Sequence, residues 1–341
     1  MARYLVTGGA GFVGSHVVAH LLERDAEVVV LDDLSLGHRA AVLAPARLIE
    51  GDAGDRATLD RVMADGVWDA VLHFASLSQV GQSMREPLRY LMTNAMVGMT
   101  LIDACVRHGI SKFVLSSTAN LFGVDETRPN DGAIDELRPI LPASPYGESK
   151  LILERTLLWA DRIHGLRSAC LRYFNAAGAD PAGRLGEDHE PETHLIPLAI
   201  DVVLGRRPPL AIFGQDYPTP DGTCVRDYLH VRDLADAHLD VISQLDHRSV
   251  VYNVGTGIGH SVRDVLLAVG RVAGRPVPVI EQPRRGGDPA TLIAASGRLR
   301  ADTGWSPRLG SLERIVEDAY RWRVAHPRGF GDNGREPSSK L

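Results

Sequence analysis

Tyr146 and Lys150 stand four residues apart in Pro145-Tyr146-Gly147-Glu148-Ser149-Lys150, a spacing that puts both side chains on one face of a helix. A free phenol has a pKa near ~10 and is a poor base at neutral pH. A neighbouring ammonium, together with the positive ring of an oxidised nicotinamide, favours the phenolate. Such a pair removes a proton from a substrate hydroxyl while hydride leaves the same carbon. Ser116-Ser117-Thr118-Ala119-Asn120 offers a third participant, and Thr118 is the choice, able to hydrogen-bond both the substrate oxygen and the phenol. Taken alone, the pair is more simply a solvated helix face, and the hydroxyl cluster a strand end capping its own backbone.

A glycine loop near the N-terminus changes that balance. Thr7-Gly8-Gly9-Ala10-Gly11-Phe12-Val13-Gly14 follows a strand-like run and opens a helical one, with Gly8, Gly11 and Gly14 three apart. Glycine permits a tight turn and a close backbone approach to a pyrophosphate, whose charge then meets the positive end of the following helix. Asp32 closes the second strand 18 positions beyond Gly14, where a carboxylate accepts hydrogen bonds from an adenosine ribose. With Asp33 beside it a 2′-phosphate would be repelled, so the reading is NAD rather than NADP. Asp52, next to Ala53, is placed to reach the adenine amino group, and Phe74-Ala75-Ser76 ends the fourth strand beside the pyrophosphate. Both of these segments read equally well as ordinary strand-end turns.

These groups need a scaffold. Apolar runs at 3–7, 27–32, 47–50, 70–74, 112–117 and 166–172 alternate with amphipathic stretches at 13–24, 55–63, 88–108 and 144–160. Strands apolar throughout, separated by helices, predict a parallel sheet covered on both faces. Right-handed crossovers make it an α/β, doubly wound, Rossmann-like sheet. After Arg172 the rhythm breaks into a Gly-, Pro- and polar-rich stretch over 173–225 with one helical run at 197–204. A helix at 232–245, a strand at 251–253 and a helix at 261–272 follow, consistent with a smaller, mixed α/β C-terminal lobe. Residues 326–341 are Gly-, Pro- and Ser-rich and are expected to be loose.

Composition narrows the field. A length of 341 residues suggests about two domains, and 44% hydrophobic with 23% charged residues is globular usage, neither disordered nor fibrous. The 37 Lys+Arg against 43 Asp+Glu leave a net charge of -6, which argues against a nucleic-acid partner or an anionic membrane surface. No apolar run approaches the ~18 residues of a membrane span, and no cleavable leader is expected. Cys105, Cys170 and Cys224 are too scattered for a disulfide framework or a four-ligand zinc site, so reduced thiols and a cytoplasmic location are expected. His189-Glu190-Pro191-Glu192-Thr193-His194 invites a metal assignment, but Pro191 interrupts any helix that would align the ligands, and no metal is expected.

Thr7 to Gly14, Asp32, Ser116 to Ala119 and the Tyr146/Lys150 pair together resemble the extended short-chain dehydrogenase/reductase superfamily. The second half narrows the resemblance to its UDP-glucose 4-epimerases. Leu171-Arg172-Tyr173-Phe174-Asn175, Gly186-Glu187-Asp188, His194-Leu195-Ile196-Pro197, Ala211-Ile212-Phe213-Gly214, Asp216-Tyr217-Pro218-Thr219, Val225-Arg226-Asp227-Tyr228 and Pro283-Arg284-Arg285 with Gly287-Asp288 occur in the family's order. The resemblance implies a tightly held NAD, a UDP-hexose substrate and a homodimer joined through 88–108 and 144–160. It makes Tyr146 the base, Lys150 the residue that tunes it and holds the nicotinamide ribose, and Thr118 the hydroxyl beside them. Ser116 and Tyr173 join Gly8, Gly11, Phe12, Val13 and Gly14 on the cofactor side. Asn175, Leu195, Arg226, Arg285 and Asp288 hold the UDP part, and Ala211, Ile212 and Phe213 lie along the uracil. Leu292 gates the sugar's C2 substituent, its bulk disfavouring N-acetylated sugars. Hydride leaves C4, a 4-keto sugar turns over on its pyrophosphate tether, and hydride returns to the opposite face. The implied organisation is an NAD-binding unit of 1–174 to which part of 226–255 returns, a UDP-sugar lobe of 175–225 and 256–329, and a tail of 330–341.

Three positions depart from the family pattern: Phe122 where many relatives carry Tyr, Ser78 where some carry a Lys near the pyrophosphate, and Asn120 beside the catalytic hydroxyl. The superfamily's dehydratases use acidic residues just after the catalytic Thr; Ala119 and Asn120 are not acidic, so elimination is not expected. A UDP-pentose (xylose/arabinose) 4-epimerase stays open, because the surroundings of C6 are not readable from sequence. A non-catalytic NAD-binding sensor stays open as a different class, although such proteins usually lose the Tyr or the Lys.

Overall fold

The computed structural model describes residues 1–123, 132–284 and 288–331. Its first half alternates strands β1 (Arg3–Thr7), β2 (Glu27–Asp32), β3 (Arg47–Glu50), β4 (Ala70–His73), β5 (Lys112–Ser116) and β6 (Arg167–Tyr173) with helices α1 (Phe12–Glu23), α2 (Arg56–Met63), α3 (Val80–Ser83), α4 (Pro87–Arg107) and α5 (Pro145–His164). The second half contains β7 (Asn175–Ala177), α6 (Leu195–Val203), β8 (Leu210–Phe213), β9 (Val225–His230), α7 (Val231–Asp240), β10 (Val250–Val254), β11 (Gly259–Ser261), α8 (Val262–Ala273), β12 (Val279–Gln282), β13 (Thr291–Leu292), α9 (Gly297–Thr303) and α10 (Leu312–Ala325). The large sheet is wholly parallel, in the order β10-β6-β5-β4-β1-β2-β3. The order reverses between β1 and β4, and ligands of open α/β sheets bind outside the carboxyl ends at such a reversal.

Strand alternation explains why both faces are apolar. Val6, Val30, Leu72 and Leu171 face α1 and α7, packing on Val17, Val18, Leu21, Leu234 and Leu239. Their sequence neighbours Leu5, Val29, Val71 and Cys170 face the other way, onto Leu59, Leu101, Ile102, Leu153 and Leu157. The expected helix at 144–160 continues to His164 and stops where Gly165 takes a left-handed φ of 73°.

The lobe has its own core, in which α6, α8 and α10 close over β8 through Ile200, Ile212, Val265, Val269 and Ile315. Around β9 lies a mixed sheet: β7 and β13 pair with it in parallel, β11 antiparallel. The expectation of a loose tail from 326, and of a tail beginning at 330, is corrected for the described part. The His326 ring stacks on Trp322 with centroids 4.8 Å apart, and Phe330 donates its N–H to Asp188 Oδ2 at 2.9 Å. Phe330 is the apolar anchor that a Gly/Pro-rich composition conceals; residues 332–341 lie outside the described residues. Among the described residues no helix is long and apolar enough to cross a membrane.

Candidate active site

The glycine loop is built around contacts that exclude a side chain. Gly8 has a φ of 74°, and a Cβ there would lie 2.3 Å from the Ala75 nitrogen; one at Gly14 would lie 2.2 Å from the Gly8 oxygen. These approaches bring the ends of β1 and β4 together and seat α1 over the turn. Gly11 caps α1 with no side-chain hydrogen bond, so no side chain competes for the helix's first N–H groups. Asp32 is buried: its Oδ2 accepts the Ala10 N–H and its Oδ1 the Leu34 N–H, both at 2.9 Å. It thus holds the loop as well as closing β2. Asp33 is turned to its own strand end, accepting from the Ser35 N–H and hydroxyl, and Asp52 accepts the Gly54 N–H at 2.6 Å. Ala53 packs in the core beneath α2 and α4. Phe74 and Ala75 both donate their N–H to the Thr7 carbonyl, Ser76 follows half-buried, and Ser116 and Tyr173 share a 2.8 Å hydrogen bond across β5 and β6.

Tyr146 and Lys150 occupy the first turns of α5. Ser144 caps that helix, accepting the Gly147 N–H at 3.1 Å, and Pro145 opens it with the φ a first helical residue needs. Gly147 is required for a different reason: a Cβ there would sit 2.5 Å from the Asn120 carbonyl oxygen. That contact sets α5 directly against the turn carrying Thr118. Thr118 Oγ1 accepts from the Asn120 N–H at 3.1 Å and from its Nδ2 at 3.3 Å, which leaves the Thr118 proton to donate. Asn120 therefore orients the hydroxyl, a role its sequence position did not reveal.

Burial governs the ionisation of both catalytic candidates. Tyr146 is pushed well above the ordinary phenol value by burial and by the neighbouring Tyr173 phenol, while its hydrogen bond with Thr118 pulls it down. Lys150 is fully buried, its Nζ lies 5.9 Å from the Tyr146 ring centroid, and it has no hydrogen-bond partner among the described residues. Burial pushes its pKa down to about 7. Of the two charges expected to favour the phenolate, the lysine's is thus the weaker in the cofactor-free chain: desolvation outweighs it, and a lysine half neutral at pH 7 contributes only part of a charge.

On the lobe side, Asn175 lies half-buried on β7 and Leu195 begins α6. Ala211 and Phe213 share one face of β8, but Ile212 points the other way into the lobe core, a correction that strand alternation explains. Arg226 on β9 is not a free surface cation. Its Nη1 donates to the Val225 and Pro289 carbonyls at 2.9 Å each, and its Nη2 lies 3.9 Å from Asp288. Leu292 stands opposite Arg226 across the β13–β9 pairing and packs on the cluster containing Ala119 and Phe122, next to Thr118. Arg285 lies outside the described residues.

A model of the NAD dependent epimerase/dehydratase family matches residues 4–255. The chain belongs to that family. It is 45% identical over 334 residues to a UDP-glucose 4-epimerase of Halalkalibacterium halodurans, spanning 97% of this chain and 98% of that one. A crystal structure of UDP-glucose 4-epimerase from Brucella ovis in complex with NAD superposes with a TM-score of 0.90 at 40% identity, covering 94% of this chain and 98% of that chain. One from Bifidobacterium longum, in complex with NAD+ and UDP, gives 0.90 at 35% identity, covering 96% and 100%.

Within this epimerase/dehydratase chain, a buried network holds the catalytic helix in place. Glu154 of α5 accepts from Ser117 Oγ at 2.5 Å and takes a two-point ion pair from Arg172 of β6, at 3.0 and 2.5 Å. The Arg172 guanidinium lies 5.6 Å over the Phe122 ring, so the Phe at that position serves as its platform. Asn94 of α4 donates to Ser149 of α5 at 3.0 Å and bonds both backbone groups of Leu77, tying α5 to the end of β4. Sequence reading missed all of these, because the partners lie on separate elements. The segment 189–194, set aside in sequence because Pro191 breaks any helix, nonetheless gathers His189, Glu192 and His194 with Glu187 in the loop before α6, with no helix needed to align them.

Proposed function

We propose that the chain is an NAD-dependent UDP-glucose 4-epimerase, interconverting UDP-galactose and UDP-glucose. The observation that carries the reading is the buried set of Tyr146, Thr118 and Lys150 beside a glycine loop at the sheet's point of reversal. The residues fit the cofactor: the orphaned, buried Lys150 Nζ needs a polar partner such as the nicotinamide ribose, and the α1 N-terminus is free for a pyrophosphate. NAD would be held by Gly8 to Gly14, Asp32, Asp33, Asp52, Phe74 to Ser76, Ser116, Lys150 and Tyr173. When bound, NAD supplies a reversible hydride acceptor with a positive ring.

The protein's own groups handle the proton. Tyr146 Oη takes the proton of the C4 hydroxyl and later returns it, and Thr118 donates to the oxygen that bears the change. Because burial holds the phenol neutral, the base is armed only when positive charge stands beside it, so proton removal is coupled to cofactor occupancy and oxidation state. The 4-keto sugar turns over while Arg226, Asn175 and Leu195, with Ala211 and Phe213 along the base, keep the UDP part anchored. Residues 1–174 with part of 226–255 would serve the cofactor, and 175–225 with 256–329 the nucleotide sugar. Ala119 and Asn120 offer no acid for eliminating water, which favours epimerisation over dehydration.

The purified chain, incubated with UDP-galactose and no added NAD, is expected to yield UDP-glucose, and to act more slowly on UDP-N-acetylglucosamine because Leu292 crowds the C2 substituent. No conversion even with added NAD would overturn the activity; equal rates on the two sugars would overturn the role of Leu292.

A homodimer is part of the same proposal. Leu88, Met92, Met96 and Met99 recur at helical spacing as exposed residues of α4, and α5, packed beside α4, exposes Trp159 and Ile163. A two-chain mass in sedimentation at micromolar concentration, shifted toward one chain by Met96→Glu, is the expected result; a single-chain mass for the unmodified protein refutes it. The three buried free cysteines fit a reducing, cytoplasmic location, which recovery in the cytosolic fraction would check.

A further inference from the structure

The epimerase chemistry leaves the loop before α6 unused. Glu187, His189, Glu192 and His194 each place one ligand atom so that all lie within 4.8 Å of one another. The Glu187 and Glu192 side chains are only 6% and 3% exposed, and His189 is 25% exposed. Burying two carboxylates is costly unless each is compensated. Glu192 is compensated on one oxygen only: its Oε1 accepts the Thr193 and His194 N–H groups at 2.8 and 2.9 Å. Its Oε2 is buried without a hydrogen-bond partner among the described residues, and so is Nδ1 of His189. These two atoms lie 3.6 Å apart, too far for a hydrogen bond, and His189 Nδ1 lies 3.3 Å from Glu187 Oε1, the oxygen that also pairs with His194 Nδ1, so one carboxylate oxygen serves both rings while Glu192 Oε2 serves neither.

We propose that these four side chains bind one divalent transition-metal cation. Two imidazole nitrogens and two carboxylate oxygens make a borderline donor set, suited to zinc, cobalt or nickel rather than to magnesium or calcium, which take oxygen alone. A tetrahedral ion with bonds of ~2.0–2.1 Å holds its ligands roughly 3.4 Å apart, so small side-chain rotations close the observed cluster around it. His194, 55% exposed, gives the entry path from solvent. The placement gives the ion a structural task. The His189 ring meets the edge of Phe12, the first residue of α1, with centroids 6.3 Å apart. His194 directly precedes Leu195, the first residue of α6. The ion would thus brace the glycine-loop helix against the helix that begins the lobe.

The test uses the full chain with its cofactor, stripped of metal with EDTA and titrated with zinc chloride or cobalt chloride. One equivalent of either ion should bind per chain, about micromolar or tighter, with the intense visible bands of tetrahedral cobalt and a rise in thermal midpoint that EDTA reverses. Glu192→Gln should weaken binding at least about tenfold. His194→Gln should do the same; because the ring also pairs with the buried Glu187 carboxylate, the readout is the EDTA-reversible rise in midpoint above that variant's own metal-free value. Absence of binding below millimolar zinc would overturn the proposal and leave the cluster as a self-contained imidazolium–carboxylate pair. Stoichiometric binding that neither substitution weakens would overturn it too, by placing the ion elsewhere.

Discussion

Tyr146→Phe is expected to lower the rate of UDP-galactose conversion by about 10²–10⁴-fold while the chain still folds and still retains NAD. The substitution removes one oxygen and leaves the ring in its packed position, so the fold loses one buried hydrogen bond, that to Thr118. The chemistry loses its base. Lys150 does not substitute for it: its Nζ is fully buried 5.9 Å from the Tyr146 ring centroid, and burial holds it partly neutral at pH 7. Thr118 does not substitute either, since a hydroxyl that already accepts two N–H groups from Asn120 is a donor. Turnover numbers together with the cofactor absorbance of the purified variant check the expectation. Turnover within threefold of the parent would remove Tyr146 from the reaction, and a sensor with no catalysis would show no activity to lose. Loss of activity together with loss of NAD would show a collapsed site instead of a missing base.

Why some of this site is legible in sequence and some is not follows from how each part is built. Gly14 is tied to a backbone approach to Gly8 six residues away, so the spacing announces the turn, whereas the approach of Gly8 to Ala75 is long-range and shows only in the fold. Tyr146 and Lys150 share a helix and are related by its period. Ile212 shows where block reading fails, because three consecutive strand residues cannot all face one ligand. Glu154 is less accessible still. On sequence it is one more acid on an amphipathic helix, and only the pairing of β5 with β6 brings Ser117 and Arg172 to it. Breaking such a buried pair by removing one partner costs about 3–5 kcal/mol, so it is a constraint on the site that composition hides. The Glu187–His194 cluster is half legible: residues 189–194 invite the assignment, but their convergence with Glu187 does not show. Its ligands are presented by an irregular loop, and neither helical nor strand periodicity relates them.

Lys150→Met is expected to abolish turnover and, in the cofactor-free chain, to raise stability. The two effects share one cause. The Lys150 stem is packed as a hydrocarbon, but its ammonium is carried into the interior with no hydrogen-bond partner among the described residues. At ~1.4 kcal/mol per tenfold change in protonation, a fall from the ordinary 10.5 to about 7 sets the cost of that charge near ~3–5 kcal/mol. Methionine fills a similar volume without the charge. The sign of the pH dependence separates this cause from better packing. Between about pH 7 and 10.5 the unfolded lysine binds a proton that the folded one has released, so the parent chain gains stability as pH rises. The methionine variant lacks that term, and its advantage should shrink by roughly 1.4 kcal/mol for each pH unit above 7. Denaturant midpoints of both proteins, stripped of NAD and compared at pH 7 and pH 9, measure the difference directly. A variant less stable than its parent at pH 7, or an advantage equal at both pH values, contradicts the assignment of the cost to the buried ammonium. With NAD restored the order should narrow or reverse, because only the parent offers the ribose hydroxyls a cation and draws binding free energy from doing so. The buried lysine is then a site held ready at the expense of the empty fold, and its stability deficit is the measure of that readiness.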